Sequence, residues 1–268
     1  MTRFPLKDKH VIVTGASEGI GREFALEAAK RGARVSLAAR SSDRLEELAQ
    51  AISLAGGTAA IFPTDVADES ACAKLVADAV KALGEVDVLV ANAGLGSGTQ
   101  GDGLVDLAVI HRLMTVNFFG AVATAAAAIP SLQKTRGLVV AVSSLQGLLS
   151  LPKSSAYAAS KHAMQGYFAS LRLDLAPYGV GVLIVSPGAV ATNIHREQIT
   201  RYKGMTMAKI QKRSMSARAC AMLMCDAIEA RKRDLVMTRG GRFAVRVRPF
   251  FPDFIDRLVT RSVRNLYR

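Results

Sequence analysis

The stretch SSAYAASKHA, residues 154–163, sets Tyr157 four residues before Lys161 in a run of small side chains. Residues four apart on a helix lie on one face. An ammonium held beside a phenol favours the phenolate and draws its pKa down from the usual value of about 10. A tyrosine so placed can exchange a proton at oxygen while a hydride moves at carbon, as interconverting a carbonyl and an alcohol requires. The plain alternative is a surface contact between two side chains one turn apart.

A second set of residues could hold the hydride carrier. TGASEGIG (14–21) carries three glycines. Gly15 suits a tight turn, while Gly19 and Gly21 let a phosphate approach the start of a helix, where free N–H groups and the dipole favour negative charge. About 20 residues on, a dinucleotide site carries an acid for the ribose of NAD or an arginine for the 2′-phosphate of NADP. Here the chain reads LAARSSDR (37–44), with Arg40 and no acid at that point. Arg40 offers a fork of donors to phosphate, so NADP(H) is the preferred cofactor and NAD(H) the second choice. Glu18 sits in the glycine loop and would repel that phosphate, with Ser17, Ser41 or Arg44 available to compensate. Asp65 in TDVAD could accept from an adenine amino group or cap the next helix. In ANAG (91–94), Ala93 and Gly94 leave room for a flat ring and its ribose, and Asn92 can bond backbone across a sheet.

These groups need a frame. Short β-branched runs alternate with alanine-rich stretches. HVIVT (10–14), RVSLAA (34–39), TAAIFPT (58–64), VDVLVA (86–91), GLVVAVS (137–143), VGVLIVS (180–186) and DLVMT (234–238) predict seven strands. Helices are expected through 22–32, 42–57 and 69–84, the second opening on a Ser/Asp cap and closing at Gly56-Gly57. Strands apolar on both faces suit a parallel sheet buried between helices, and the alternation predicts a doubly wound α/β domain with right-handed crossovers.

Glycine loop, NAG and YAASK, in that order, resemble the short-chain dehydrogenase/reductase family over about residues 8–238. The resemblance implies a single Rossmann-type domain over 1–240 and a catalytic set of Tyr157, Lys161, Ser144 and Asn117. Ser144 stands thirteen residues before Tyr157, and Asn117 lies in VNFFG (116–120). It also implies a dinucleotide lined by Gly15, Ser17, Gly19, Ile20, Gly21, Arg40, Asp65, Val66, Asn92, Ala93, Gly94, Tyr157 and Lys161. In SPGAVATNI (186–194), Pro187, Gly188, Val190 and Thr192 complete that set, Val190 through a backbone contact to the carboxamide. Ser144 would hold the substrate oxygen, Lys161 would bond the ribose, and Asn117 would support a water chain returning the proton. A homodimer or homotetramer built partly through the Tyr157 helix is a further implication.

Three scattered cysteines without a CxxC pair and four dispersed histidines argue against disulfides and a metal site. The start of the chain shows no apolar signal core, and no run reaches the roughly 18 apolar residues of a spanning helix, so a cytoplasmic protein is expected. The net charge is +13, which attracts polyanions without choosing among them. No nucleic-acid motif accompanies it, so nucleic acid is not expected as a partner. Leu145, Leu148, Leu149 and Leu151 should border the substrate, and a lid over 193–216 brings Met205, Met207 and Met215. A small hydrophobic ketone or alcohol, steroid-like or lipid-like, fits them, although they could equally pack the lid or a dimer face. Alternatives are a cofactor-binding scaffold or sensor without turnover, and an NAD-preferring dehydrogenase of a small alcohol. The extension 241–268 mixes arginine with apolar residues, suggesting peripheral contact with an anionic membrane; it could instead pack on a partner or simply be solvated.

Overall fold

The computed structural model describes residues 3–96, 106–191 and 214–267. Its strands are β1 (His10–Thr14), β2 (Arg34–Ala39), β3 (Thr58–Pro63), β4 (Val88–Ala91), β5 (Leu138–Val142), β6 (Gly181–Ser186), β7 (Val190–Ala191), β8 (Met215–Ser216) and β9 (Asp234–Val236). Seven form one sheet in the order β3-β2-β1-β4-β5-β6-β9, and every neighbouring pair is parallel. β7 and β8 make a separate two-stranded piece. The order reverses between β1 and β4, creating the crevice at the strands' C-terminal ends where ligands bind in such sheets.

The helices are α1 (Gly19–Lys30), α2 (Ser42–Leu54), α3 (Glu69–Leu83), α4 (Leu107–Met114), α5 (Gly120–Thr135), α6 (Ser155–Leu175), α7 (Ala217–Glu229), α8 (Arg239–Val247) and α9 (Pro252–Tyr267). Strand alternation divides the core. Val11 and Val13, Val88 and Val90, and Val140 and Val142 point into one apolar layer, shared with α1, α2 and α7. Ile12, Leu89, Val139 and Ala141 point into the other, shared with α3, α5 and α6. Period-two side chains with both faces buried explain why these strands read as unbroken apolar runs.

Two sequence expectations need correction. Ser41 occupies the N-cap of α2, but its side chain makes no capping bond; Asp43 in the first turn is left to complement the helix dipole. A segment long and apolar enough, by length and composition, to cross a membrane does exist, a 29-residue helical stretch over Leu107–Thr135. It comprises α4, a π-helical turn at Thr115–Phe119 and α5. Polar residues such as His111, Arg112 and Asn117 interrupt its apolar runs, so counting uninterrupted apolar residues missed it. The buried face of α5, including Ala121, Ala125, Ala128 and Leu132, belongs to the core. Such a stretch could allow membrane association.

Phe168 on α6 is fully buried and meets Tyr167 edge-to-face at 5.2 Å. Phe168→Ala is expected to cost about 3–5 kcal/mol, the range for emptying a buried aromatic site. Urea unfolding monitored by circular dichroism checks it, and a loss below about 1 kcal/mol would contradict this packing.

Candidate active site

The loop after β1 is fixed by contact with the end of β4. Gly15 has a φ of +67°, and a Cβ there would stand 2.8 Å from the Ala93 Cα. A Cβ on Gly21 would overlap the Gly15 carbonyl oxygen. These two glycines therefore serve the protein's own packing, while Gly19, at φ +59°, opens α1. Asn92 Nδ2 donates to the carbonyls of Thr14 at 2.9 Å and Gly15 at 3.3 Å. Thr14 Oγ1 accepts from the backbone N–H of Asn92 and of Ala93. The two strand ends are thus joined, as expected of Asn92.

No side chain caps the N-terminus of α1, so that end can receive an anion. Ser17 and Ile20 are half-buried around it. The Glu18 carboxylate accepts from Arg44 Nη1 at 3.2 Å, which answers the discordance seen in the sequence. Arg40 is exposed at the end of β2. Asp65 is exposed and accepts from the Ala67 N–H at 3.0 Å, a local turn. Its alternative role belongs to Asp68, whose Oδ1 caps α3 at Ser70 and Ala71. Val66 buries its side chain where Gly120 leaves space.

Across the crevice, Ser144 follows β5, and Tyr157 occupies the first turn of α6. The Ser144 hydroxyl faces the Tyr157 phenol closely enough to favour its ionised form. Lys161 Nζ stands 5.9 Å from the Tyr157 ring centre and donates to the Val142 carbonyl at 2.9 Å. Both side chains are buried. Burial pushes the phenol up to about 12, opposed by the Ser144 hydroxyl, and draws the Lys161 ammonium down to about 8. The expectation that Lys161 lowers the phenol's pKa is therefore reversed in the chain alone: desolvation outweighs a cation turned toward Val142.

Asn117 lies in the π-helical turn. Its Oδ1 accepts from the Leu95 N–H at 2.7 Å, and its Nδ2 donates to the Leu95 carbonyl and to Ser160 Oγ, both at 3.0 Å. The amide clamps the loop after β4 to α6. Gly94 forms the floor between the two sides: a Cβ there would stand 3.2 Å from Asn117 Oδ1 and 3.6 Å from Lys161 Nζ.

At β6, the Pro187 carbonyl accepts from the Leu145 N–H at 2.8 Å, and Gly188 leaves room for Thr238 and Leu145. Val190 is buried in β7. Thr192 and most of the expected lid, residues 192–213, lie outside the described residues. Leu149 is buried against Ala244 and Ile255. Leu95, Val109, Ile110 and Leu113 form the apolar cluster packed with Tyr157. Sequence reasoning missed all four, although the helical spacing of Val109, Ile110 and Leu113 in LAVIHRLM was visible. It also missed Ser160, which is held to the Tyr157 carbonyl at 2.8 Å.

Comparison with known proteins follows this geometry. Residues 9–203 match the model of the short chain dehydrogenase family. The chain is 36% identical to Dehydrogenase/reductase SDR family member 7B of Mus musculus, over 97% of this chain and 83% of that protein. It is 37% identical to 11-beta-hydroxysteroid dehydrogenase-like 3 of Arabidopsis thaliana, over 69% of this chain and 60% of that one. A short-chain dehydrogenase/reductase from Burkholderia phymatum in complex with NAD superposes with a TM-score of 0.83 at 25% identity, covering 94% of this chain and 96% of its own. An alcohol dehydrogenase from Thermococcus sibiricus complexed with 5-hydroxy-NADP gives 0.76 at 26%, covering 85% and 95%.

The lowered pKa of Lys161 sets a pH dependence. Below about 8 the ammonium is charged in both folded and unfolded chains, and burial penalises the fold. Between about 8 and 10.4 the unfolded chain holds the extra proton, so stability contributed by this group rises with pH. Denaturation of wild type and Lys161→Met should show wild type gaining on the variant by on the order of 3 kcal/mol across that window. A flat difference from pH 7 to 10.5 would refute the burial cost.

Proposed function

The chain belongs to the short-chain dehydrogenase/reductase family of oxidoreductases, and on that footing we propose that it reduces a hydrophobic ketone with NADPH. The observation carrying this reading is the buried Tyr157 with Lys161 Nζ 5.9 Å from its ring centre and Ser144 facing its hydroxyl, at the edge of a crevice lined by the glycine loop and Gly94.

The residues fit a nicotinamide dinucleotide. The strand order puts Arg40 after β2, the glycine loop after β1, Asn92 to Gly94 after β4, Ser144 after β5 and Pro187-Gly188 after β6, successively along one edge. Arg40 at the β2 end would take a 2′-phosphate, and the uncapped start of α1 the pyrophosphate. Gly94 leaves space beside Lys161 and Asn117 that a Cβ would fill. When bound, the reduced nicotinamide supplies the hydride and the oxidised one a positive charge.

Ser144 would donate to the ketone oxygen and orient it. Tyr157 is a phenol at neutral pH, because burial holds its pKa high, and so has a proton to give as the oxygen gains charge. Lys161, charged near neutrality, would stabilise the resulting phenolate. Asn117 is a positioning residue: it ties Leu95 to Ser160, whose hydroxyl holds the Tyr157 backbone carbonyl. Leu95, Val109, Ile110 and Leu113 beside Tyr157 favour an apolar substrate. The plant relative's hydroxysteroid name is consistent with a steroid-like one.

Two measurements test the reading. Tyr157→Phe should lower kcat for ketone reduction by about 10²–10⁴-fold, the range for losing a general acid, while NADPH binding measured by calorimetry stays within a few-fold; undiminished turnover would overturn the role. Arg40→Asp should shift the NADPH-to-NADH ratio of kcat/KM by about tenfold or more, since a charge-assisted bond is worth about 1.5–3 kcal/mol. An unchanged ratio would remove the NADP preference.

A further inference from the structure

The two C-terminal helices pack on the segment after Ser144 and have opposite characters on their two sides. Inward, Ala244 of α8 and Ile255 of α9 bury against Leu149, with Leu148, Val245, Val247 and Val259 around them. Arg248 Nη1 donates to the Leu148 carbonyl at 3.3 Å. Gly241 is so close to Leu145 that a Cβ there would stand 2.7 Å from its side chain. Leu145 follows Ser144 directly. The helix pair is therefore fastened to the segment that leaves the candidate site.

Outward, Phe243, Phe250, Phe251, Phe254 and Leu258 are exposed, Phe250 at 77% and Phe251 at 63%. Of the five phenylalanines so exposed among the described residues, four fall within 243–254, and clustering of this kind marks an interaction surface. Phe254 and Leu258 are one turn apart on α9. Arg257 and Arg261, also one turn apart and exposed, flank them at helical spacing. Asp256 falls toward the opposite side of the same helix, while Asp253 stands one turn before Arg257 at the edge of the basic face. On α8, Arg242 and Arg246 are exposed next to Phe243.

We propose that this face docks onto an anionic lipid bilayer, with the phenylalanines seated at the acyl boundary and the arginines on lipid phosphates. Interfacial helices combine these two groups, and basic residues are drawn to an anionic leaflet. A second copy of this chain would bring the same arginines against these and meet repulsion, in a chain already at +13. Docking would hold the segment after Ser144 one helix layer from the membrane, where an apolar ketone partitions. It adds to the proposed reaction without depending on it.

Flotation of the full chain with phosphatidylcholine vesicles, alone and mixed with phosphatidylserine, tests the surface. Wild type should float with the mixed vesicles and at least tenfold less with the neutral ones. The triple substitution F250S/F251S/F254S and the quadruple R242Q/R246Q/R257Q/R261Q should each lose at least tenfold in partition, with melting temperature and KM for a water-soluble ketone unchanged. KM for a bilayer-partitioned ketone should rise in both. Equal flotation by variants and wild type, or none by wild type, overturns the proposal. So does sedimentation showing that the patch joins two copies, or competition by single-stranded RNA that abolishes vesicle binding at stoichiometric amounts. Absence of ketone turnover with flotation intact would count against the reaction and leave the docking surface standing.

Discussion

Lys161 holds an ammonium where desolvation works against charge, and among the described residues no carboxylate pairs with it. Its retention depends on groups that each restrict another part of the fold. The Val142 carbonyl takes one of its protons, and Met164 sulfur lies 3.4 Å from Nζ. Ser143 Oγ donates to the Lys161 carbonyl at 3.0 Å. Gly147 passes so near that a Cβ would come within 2.6 Å of both that carbonyl and Ser143 Oγ. One buried charge thus binds α6 to the end of β5 and to the turn beyond it. Ser144 and Tyr157 meet because those two segments cannot move apart.

The other half of the crevice is assembled without charge. Thr14, Asn92 and the glycines after β1 use backbone bonds and missing side chains to bring two strand ends into contact. The division suits a site that must accept an anionic carrier at one end and exchange a proton at the other. On the proposed reading, the end meant for the anion carries an uncapped helix start and an exposed Arg40, whereas Ser144, Tyr157 and Lys161 are buried.

Much of this was legible in the sequence, because strands buried on both faces leave continuous apolar runs and tight turns leave glycines. The six longer strands of the sheet begin and end within two residues of their apolar runs. Tyr157 and Lys161 were found by helical spacing and Asn92 by its place at a strand end. What stayed hidden depended on tertiary neighbours. Nothing local in LQGLLSLPKSSA tells that Leu149 faces a helix some hundred residues later in the chain. Nor does VNFFG reveal that both ends of the Asn117 amide are taken by protein groups. The phenol's pKa went the wrong way because adjacency in sequence gives a charge neighbour but says nothing of lost water. The pairing of Glu18 with Arg44 joins a loop to a helix beyond the next strand, a distance that spacing cannot resolve.

The π-helical turn at Thr115–Phe119 has its own consequence. It sits midway along one continuous rod whose two ends answer to different surfaces. Leu113, just before it, packs with Tyr157, and the alanines after it pack in the core with Leu75, Val76 and Ala79 of α3. Each residue advances a helix by about 100° of rotation. Gaining or losing a single residue in the rod would keep one end in phase and throw the other out. Insertion or deletion here therefore has to be absorbed by a local change of turn, as the wider π-helical turn itself absorbs an extra residue.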